Sequence, residues 1–124
     1  MKTIIKPKNS PTPVGPYNHA VRVGNFLFCS GQIPLDATGT LVPGDIRAQT
    51  ERVLENVKAI LADQQLTFAH VVKSAVFMTN LGDFAAMNEI YARYFTADFP
   101  ARSTVQVAAL PRGASVEIEV IAHY

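Results

Sequence analysis

Apolar residues recur at helical spacing in two stretches of this chain and alternate with polar ones in several shorter runs. From Ile46 to about Gln65, the side chains of Ile46, Val53, Leu54, Val57, Ile60 and Leu61 line one face, while Arg47, Glu51, Glu55 and Lys58 point away. This predicts an amphipathic helix capped by Asp45, its outer stripe a solvated face with Arg47 and Glu51 paired one turn apart. A second helix is expected from Phe84 to about Phe95, with Asp83 as its cap and Phe84, Met87, Ile90, Tyr91, Tyr94 and Phe95 inward; Asp98-Phe99-Pro100 stops it. His19 to Val23 alternates, Gly24-Asn25 provides a two-residue turn, and Phe26-Leu27-Phe28-Cys29 follows as a β-rich run, so the three read as a hairpin. Further strands are expected over His70 to Thr79, Ser103 to Ala108 and Ser115 to His123, the last two joined across Leu110-Pro111-Arg112-Gly113. In the last strand Val116, Ile118 and Val120 face one way, and Glu117, Glu119, Ile121 and His123 the other.

The resulting order is strand, hairpin strands, helix, strand, helix, strand, strand, an α+β arrangement with both helices on one face of a sheet. At 124 residues the chain suits a single domain spanning 1–124 with its own core. The stretch from Pro7 to Pro16 contains four prolines and Gly15, which exclude a helix and suit an ordered arm lying on the domain. The sheet face away from the helices would carry part of the apolar bulk of Phe26–Cys29 and Val71–Met78. Such a face left in water usually marks a partner surface, so a homo-oligomer is expected.

Composition narrows the function. A net charge of +1, with only a thin basic cluster at Lys2, Lys6 and Lys8, argues against a nucleic-acid or membrane-surface protein. Met1 to Lys6 is too short and too polar for a signal peptide, and no apolar run is long enough to span a bilayer, so a soluble cytoplasmic protein is expected. The one cysteine, Cys29, excludes an intrachain disulfide and, inside an apolar strand, reads as an inert core thiol. There is no phosphate-binding glycine loop, no Cys-x-x-Cys and no His-Glu-x-x-His; His19, His70 and His123 lack ligand spacing, so no metal is expected. Ser30 ends a strand but lacks a nucleophile-elbow context.

Three features remain as candidates. Arg102 stands just before an apolar strand, where its planar fork can meet a carboxylate in two bonds or merely decorate a strand end. Glu117 and Glu119 share a strand face; either can serve as a base for water, or both as surface decoration. Tyr17, Ser30, Gly31 and Asn88 each adjoin a chain break or a helix face, and spacing alone does not assemble them.

Gly15-Pro16-Tyr17, Ser30-Gly31-Gln32-Ile33-Pro34, Asn56-Val57-Lys58-Ala59-Ile60, Phe99-Pro100-Ala101-Arg102-Ser103, and Leu110-Pro111 followed by Val116-Glu117-Ile118-Glu119 occur in this order across nearly the whole chain. Together they resemble the Rid family of reactive-intermediate deaminases, also called YjgF. The resemblance implies a chorismate-mutase-like fold, a homotrimer with sites in the clefts between subunits, and no cofactor or metal. It implies hydrolysis of 2-imino acids, such as 2-iminopropanoate and 2-iminobutanoate released by pyridoxal-phosphate enzymes, to 2-keto acids and ammonia. By the same resemblance Arg102 holds the substrate carboxylate, and Tyr17, Ser30 and Asn88 shape the pocket. Gly31 permits close backbone approach, the main chain at Thr104 contacts the reacting end, and Glu117 positions or activates water. Two positions depart from the common pattern: Thr104 where many members have Cys, and Gln106 where close relatives often have Glu. Two other functions compete: ribonuclease activity, which is associated with members of this family, and non-catalytic binding of a small keto acid. The low net charge weighs against the first, and the presence of both Arg102 and Glu117 against the second, since a sensor needs the anchor but not the base.

Overall fold

The computed structural model describes residues 1–8, 10 and 12–124; Asn9 and Pro11 of the proline-rich arm lie outside them. Six strands and two helices follow one another as β1 (Lys2–Ile5), β2 (Ala20–Val23), β3 (Phe26–Cys29), α1 (Ile46–Asp63), β4 (Val71–Met78), α2 (Phe84–Tyr94), β5 (Ala101–Gln106) and β6 (Val116–His123). The strands form one mixed sheet in the order β1-β2-β3-β6-β4-β5. All neighbours are antiparallel except β4 and β5. The α+β class and the element order agree with the expectation. The opening strand, which hydrophobic patterning does not locate, is Lys2–Ile5, held at the sheet edge by β2.

Helix α1 starts where Asp45 accepts a hydrogen bond from the Ala48 amide at 3.1 Å. It ends two residues earlier than the pattern suggests. Gln65 adopts φ 56°, and the Gln65 and Leu66 amides bond back to the Ala62 and Leu61 carbonyls, closing a Schellman turn. Asp83 occupies the cap position of α2 without making a capping bond. Asn80 supplies that chemistry one turn earlier by accepting from the Gly82 amide at 2.8 Å, at the start of a short 3-10 turn. The inner face of α2 is narrower than expected: Met87, Ile90 and Tyr91 are buried, Tyr94 is half-buried, and Phe84 is exposed.

The core lies between the helices and one sheet face. Val53, Leu54, Val57, Ile60 and Leu61 of α1 pack there with Leu27, Val76, Met78, Val116, Ile118 and Val120 from the sheet, all essentially without exposure. Each such side chain contributes about 1.5–3 kcal/mol of burial. Strand β5 begins two residues earlier than expected, because parallel pairing to β4 starts at Ala101 opposite Lys73, directly after Pro100. Arg102 is therefore inside the strand rather than before it.

Among the described residues no helix covers the opposite sheet face. Val21, Phe28 and Ile121 form one cross-strand row on it, with Val23, Phe26 and His123 in the next. Phe26 and Phe28 are 42% and 44% exposed, so this surface is a contiguous apolar patch. The expected outcome in gel filtration or sedimentation is a mass that is a multiple of the 13.5 kDa chain. Phe28→Glu, which puts a charge in that face, is expected to shift the mass toward the monomer, whereas a wild-type monomer contradicts the expectation.

Candidate functional site

The residues singled out by sequence fall into two groups. Tyr17, Ser30, Gly31 and Glu117 line one cavity of about 620 Å³, together with His19 and Arg52. Asn88 and Arg102 line a second, about 350 Å³ in volume, walled by Tyr91, Phe95 and Phe99.

The first group is assembled by an irregularity between β3 and β6. Phe28 pairs with Ile121, and pairing resumes at Gln32 with Ile118, so β3 carries one residue more than its partner over this interval. The extra residue makes a bulge containing Ser30 and Gly31, next to Glu117. The Ser30 amide donates to the His19 carbonyl at 2.8 Å, and its hydroxyl donates to the Asn18 carbonyl at 2.5 Å. These bonds tie the segment bearing Tyr17 to the end of β3. Gly31 is required by space: a Cβ there would sit 2.6 Å from Oε1 of Glu117 and 2.9 Å from its Cδ.

Glu117 is thus distinguished from Glu119, which alternation could not do. It is half-buried against the bulge, and loss of solvation, followed by the nearby Glu119 charge, raises its pKa above the usual carboxylate range. Cys29, one residue before Ser30, is buried and its thiol is pushed up to about 12, so it stays an unreactive thiol.

The second group is built by α2 and β5. The Arg102 Nη1 donates to Asn88 Oδ1 at 2.8 Å. Its guanidinium carbon lies 4.7 Å from the Tyr91 ring centre and 5.6 Å from that of Phe84. Phe84, Asn88 and Tyr91 are spaced four and three residues apart, one stripe of α2. Phe84 and Tyr91 were read from sequence only as core residues; their helical spacing from Asn88 is the signal that links them to Arg102. Among the described residues no carboxylate pairs with Arg102. Thr104 lies two residues along the same strand face; among the described residues its buried hydroxyl has no partner, and β5 is an edge strand with no neighbour on its outer side. Gln106 accepts from the Leu81 amide at 2.8 Å, bracing the turn before α2.

One chain does not bring the two groups together. Arg102 is in register with Ser74, which faces the helices, whereas Glu117 is in register with Phe77 on the opposite face. Ser30 and Arg102 are also three strand spacings apart, about 14 Å. Among the described residues no cluster of His, Cys, Asp or Glu could hold a metal, and no helix is long and apolar enough to cross a membrane.

The sequence model of the family described as endoribonuclease L-PSP matches residues 7–124. The chain belongs to the Rid (YjgF) family. A Capra hircus relative named 2-iminobutanoate/2-iminopropanoate deaminase is 42% identical over 98% of this chain and 90% of its own length. The structure of the Rid-family protein YyfA from Yersinia pestis matches over all of both chains with TM-score 0.96 and 48% identity. That of TdcF from E. coli with bound serine matches over 98% of each with TM-score 0.92 and 42% identity. The α+β fold of the Rid family is the fold of this chain.

The raised Glu117 pKa has a stability consequence. The folded state holds that proton more tightly than the unfolded one, so the charged carboxylate costs stability, fully above the raised pKa and not at all below the ordinary value. Glu117→Gln is expected to raise the melting temperature relative to wild type at neutral pH. Melting curves across the acid range should show the gap closing as pH falls; a gap independent of pH contradicts the assignment.

Proposed function

We propose that the protein hydrolyses small 2-imino acids to 2-oxo acids and ammonia, in a site that two copies of the chain complete. The observation that carries this reading is Arg102: a guanidinium held by Asn88 and stacked on Tyr91, with no carboxylate among the described residues to neutralise it. A planar cation presented in this way suits a bidentate substrate carboxylate. Further support comes from the goat relative's name and from the amino acid bound in TdcF. Because Arg102 and Glu117 occupy opposite faces of one sheet, the reading requires Arg102 of one copy to meet Glu117 of another.

The chemistry asks little of the protein. Water adds to the imine carbon as Glu117 takes one of its protons and passes it to the imine nitrogen, giving a carbinolamine. Glu117 then takes the hydroxyl proton and delivers it to the amine, so the carbon–nitrogen bond breaks, ammonia departs and the carbonyl forms. A carboxylate with raised pKa is a stronger base toward water than an exposed one. Tyr17 and Ser30 hydrogen-bond the substrate, Gly31 lets it approach the main chain, and the Thr104 backbone at the open edge of β5 contacts the reacting end. No metal or organic cofactor enters the scheme.

The test is competition. 2-Iminobutanoate generated by an amino-acid oxidase is trapped by semicarbazide with and without the protein. Wild type is expected to suppress trapping. Arg102→Ala should lose kcat/KM by two orders of magnitude or more, as expected for deleting a charged hydrogen-bond partner worth about 3 kcal/mol. Glu117→Gln is expected to keep 2-oxobutanoate binding while losing turnover. An unchanged rate in Arg102→Ala defeats the reading, and binding without turnover in wild type supports a keto-acid sensor instead. The net charge of +1 gives no footprint for RNA, and cleavage of RNA lost on mutation of Glu117 would favour the ribonuclease alternative.

A further inference from the structure

We propose that Tyr91 and Ser74 are positioning residues that orient the guanidinium of Arg102 toward a carboxylate, an inference that rests on the reading of Arg102 as the anchor. Ser74 stands in the inner row of β4 with Val71, Val76 and Met78, all buried apolar residues, and is itself fully buried. A hydroxyl in that row has to find a partner, and it finds the Tyr91 hydroxyl at 2.7 Å. Packing alone would be met by an aliphatic residue at 74 and a phenylalanine at 91.

The location of this bond gives it a purpose. Ser74 is the register partner of Arg102 across the parallel β4–β5 pair, so the bond ties α2 to the sheet beside the point where the arginine side chain departs. Tyr91 then presents its ring face beneath the guanidinium, 4.7 Å from centre to carbon. A phenylalanine can rock about its own axis and shift along the groove; a phenol bonded to an immobile serine cannot. On the same helix stripe Asn88 takes one Nη1 hydrogen at 2.8 Å. One face of the cation is therefore fixed by Tyr91 and one edge by Asn88. The remaining donors are left toward the groove lined by Ala92, Phe99 and Pro100. Burial raises the Tyr91 pKa against the opposing effects of Ser74 and Arg102, so the phenol remains protonated and the bond persists through the neutral range.

Stacked and hydrogen-bonded in this way, Arg102 loses little rotamer freedom when a ligand arrives. Removing the phenol hydroxyl should weaken the grip on a carboxylate without altering the reacting centre.

The experiment uses the full chain in its native assembly and compares Tyr91→Phe, Ser74→Ala, Ser74→Thr and Arg102→Ala. The probes are 2-oxobutanoate, whose dissociation constant is followed by NMR titration, and 2-iminobutanoate, whose KM and kcat come from trapping competition. Tyr91→Phe and Ser74→Ala are each expected to weaken binding and raise KM by about three- to tenfold, the size of one lost neutral hydrogen bond, with kcat little changed. Ser74→Thr, which keeps the hydroxyl, restores both values. In an Arg102→Ala background Tyr91→Phe adds nothing, because the two act as a unit. Wild-type affinity in both single variants overturns the proposal, as does an equal further loss in the Arg102→Ala background, which marks a packing role. Tyr91→Phe retains the ring volume and so decides the matter even if Ser74→Ala fails to fold. If Arg102→Ala itself binds 2-oxobutanoate normally, the anchor reading falls and this proposal with it. If the anchor variant fails to bind while Tyr91→Phe binds normally, only the positioning role is lost.

Discussion

Strand β4 is paired on both long edges, antiparallel to β6 and parallel to β5, and this pairing dictates which side chains share a surface. Every second residue of β6, and of β4 from Ser74 onward, enters the helix-covered core, including Val76, Ile118 and Val120. Arg102 belongs to that inner set by register, yet as a charge at the edge strand it stays at the rim, beneath α2. Glu117 belongs to the other set, on the face that no helix covers. A pleated sheet cannot turn one of them over without a slip that would expose the whole inner row. The separation of Arg102 from Glu117 is thus a consequence of the same alternation that builds the core.

Where the alternation is interrupted, candidate site residues collect. The extra residue between β3 and β6 lifts Ser30 and Gly31 out of the ladder and leaves room for the Glu117 carboxyl, which any side chain at 31 would occupy. The carboxylate kept there is partly desolvated and has no cation paired with it among the described residues, an arrangement that works against stability and raises its basicity. On the other side of the sheet, the buried Ser74–Tyr91 hydroxyl pair lies beside Arg102, and it too departs from what packing alone would select.

Particular residues show how far reading the chain could go. The stripe Val53, Leu54, Val57, Ile60 and Leu61 announces α1 because helical periodicity is local, and the Asp45 cap is local as well. The end of α1 was less legible: Gln65 takes a left-handed conformation with a side chain that does not advertise it. Phe84 read as inward because it is aromatic at helical spacing, but its partner is the Arg102 cation at the surface. Lys2–Ile5 showed no strand signal of its own, since an edge strand is stabilised by its neighbour rather than by its pattern. The Ser74–Tyr91 bond joins residues 17 apart on different elements, which no spacing rule connects.

The chain by itself determined the α+β class, the two amphipathic helices, the inward and outward faces of β6 and, through motifs in order, the Rid family. These follow from periodicities and short runs that are written consecutively along the backbone. Only the tertiary structure decided that Glu117 rather than Glu119 lies against Gly31, that Asn88, Tyr91 and Phe84 surround Arg102, and that Arg102 and Glu117 are on opposite sheet faces. Each of these depends on strand register and on the bulge at Ser30–Gly31, which are set by pairing between segments distant in sequence. Side-chain alternation reports which residues share a face within one strand; hydrogen bonding between strands decides which of them meet.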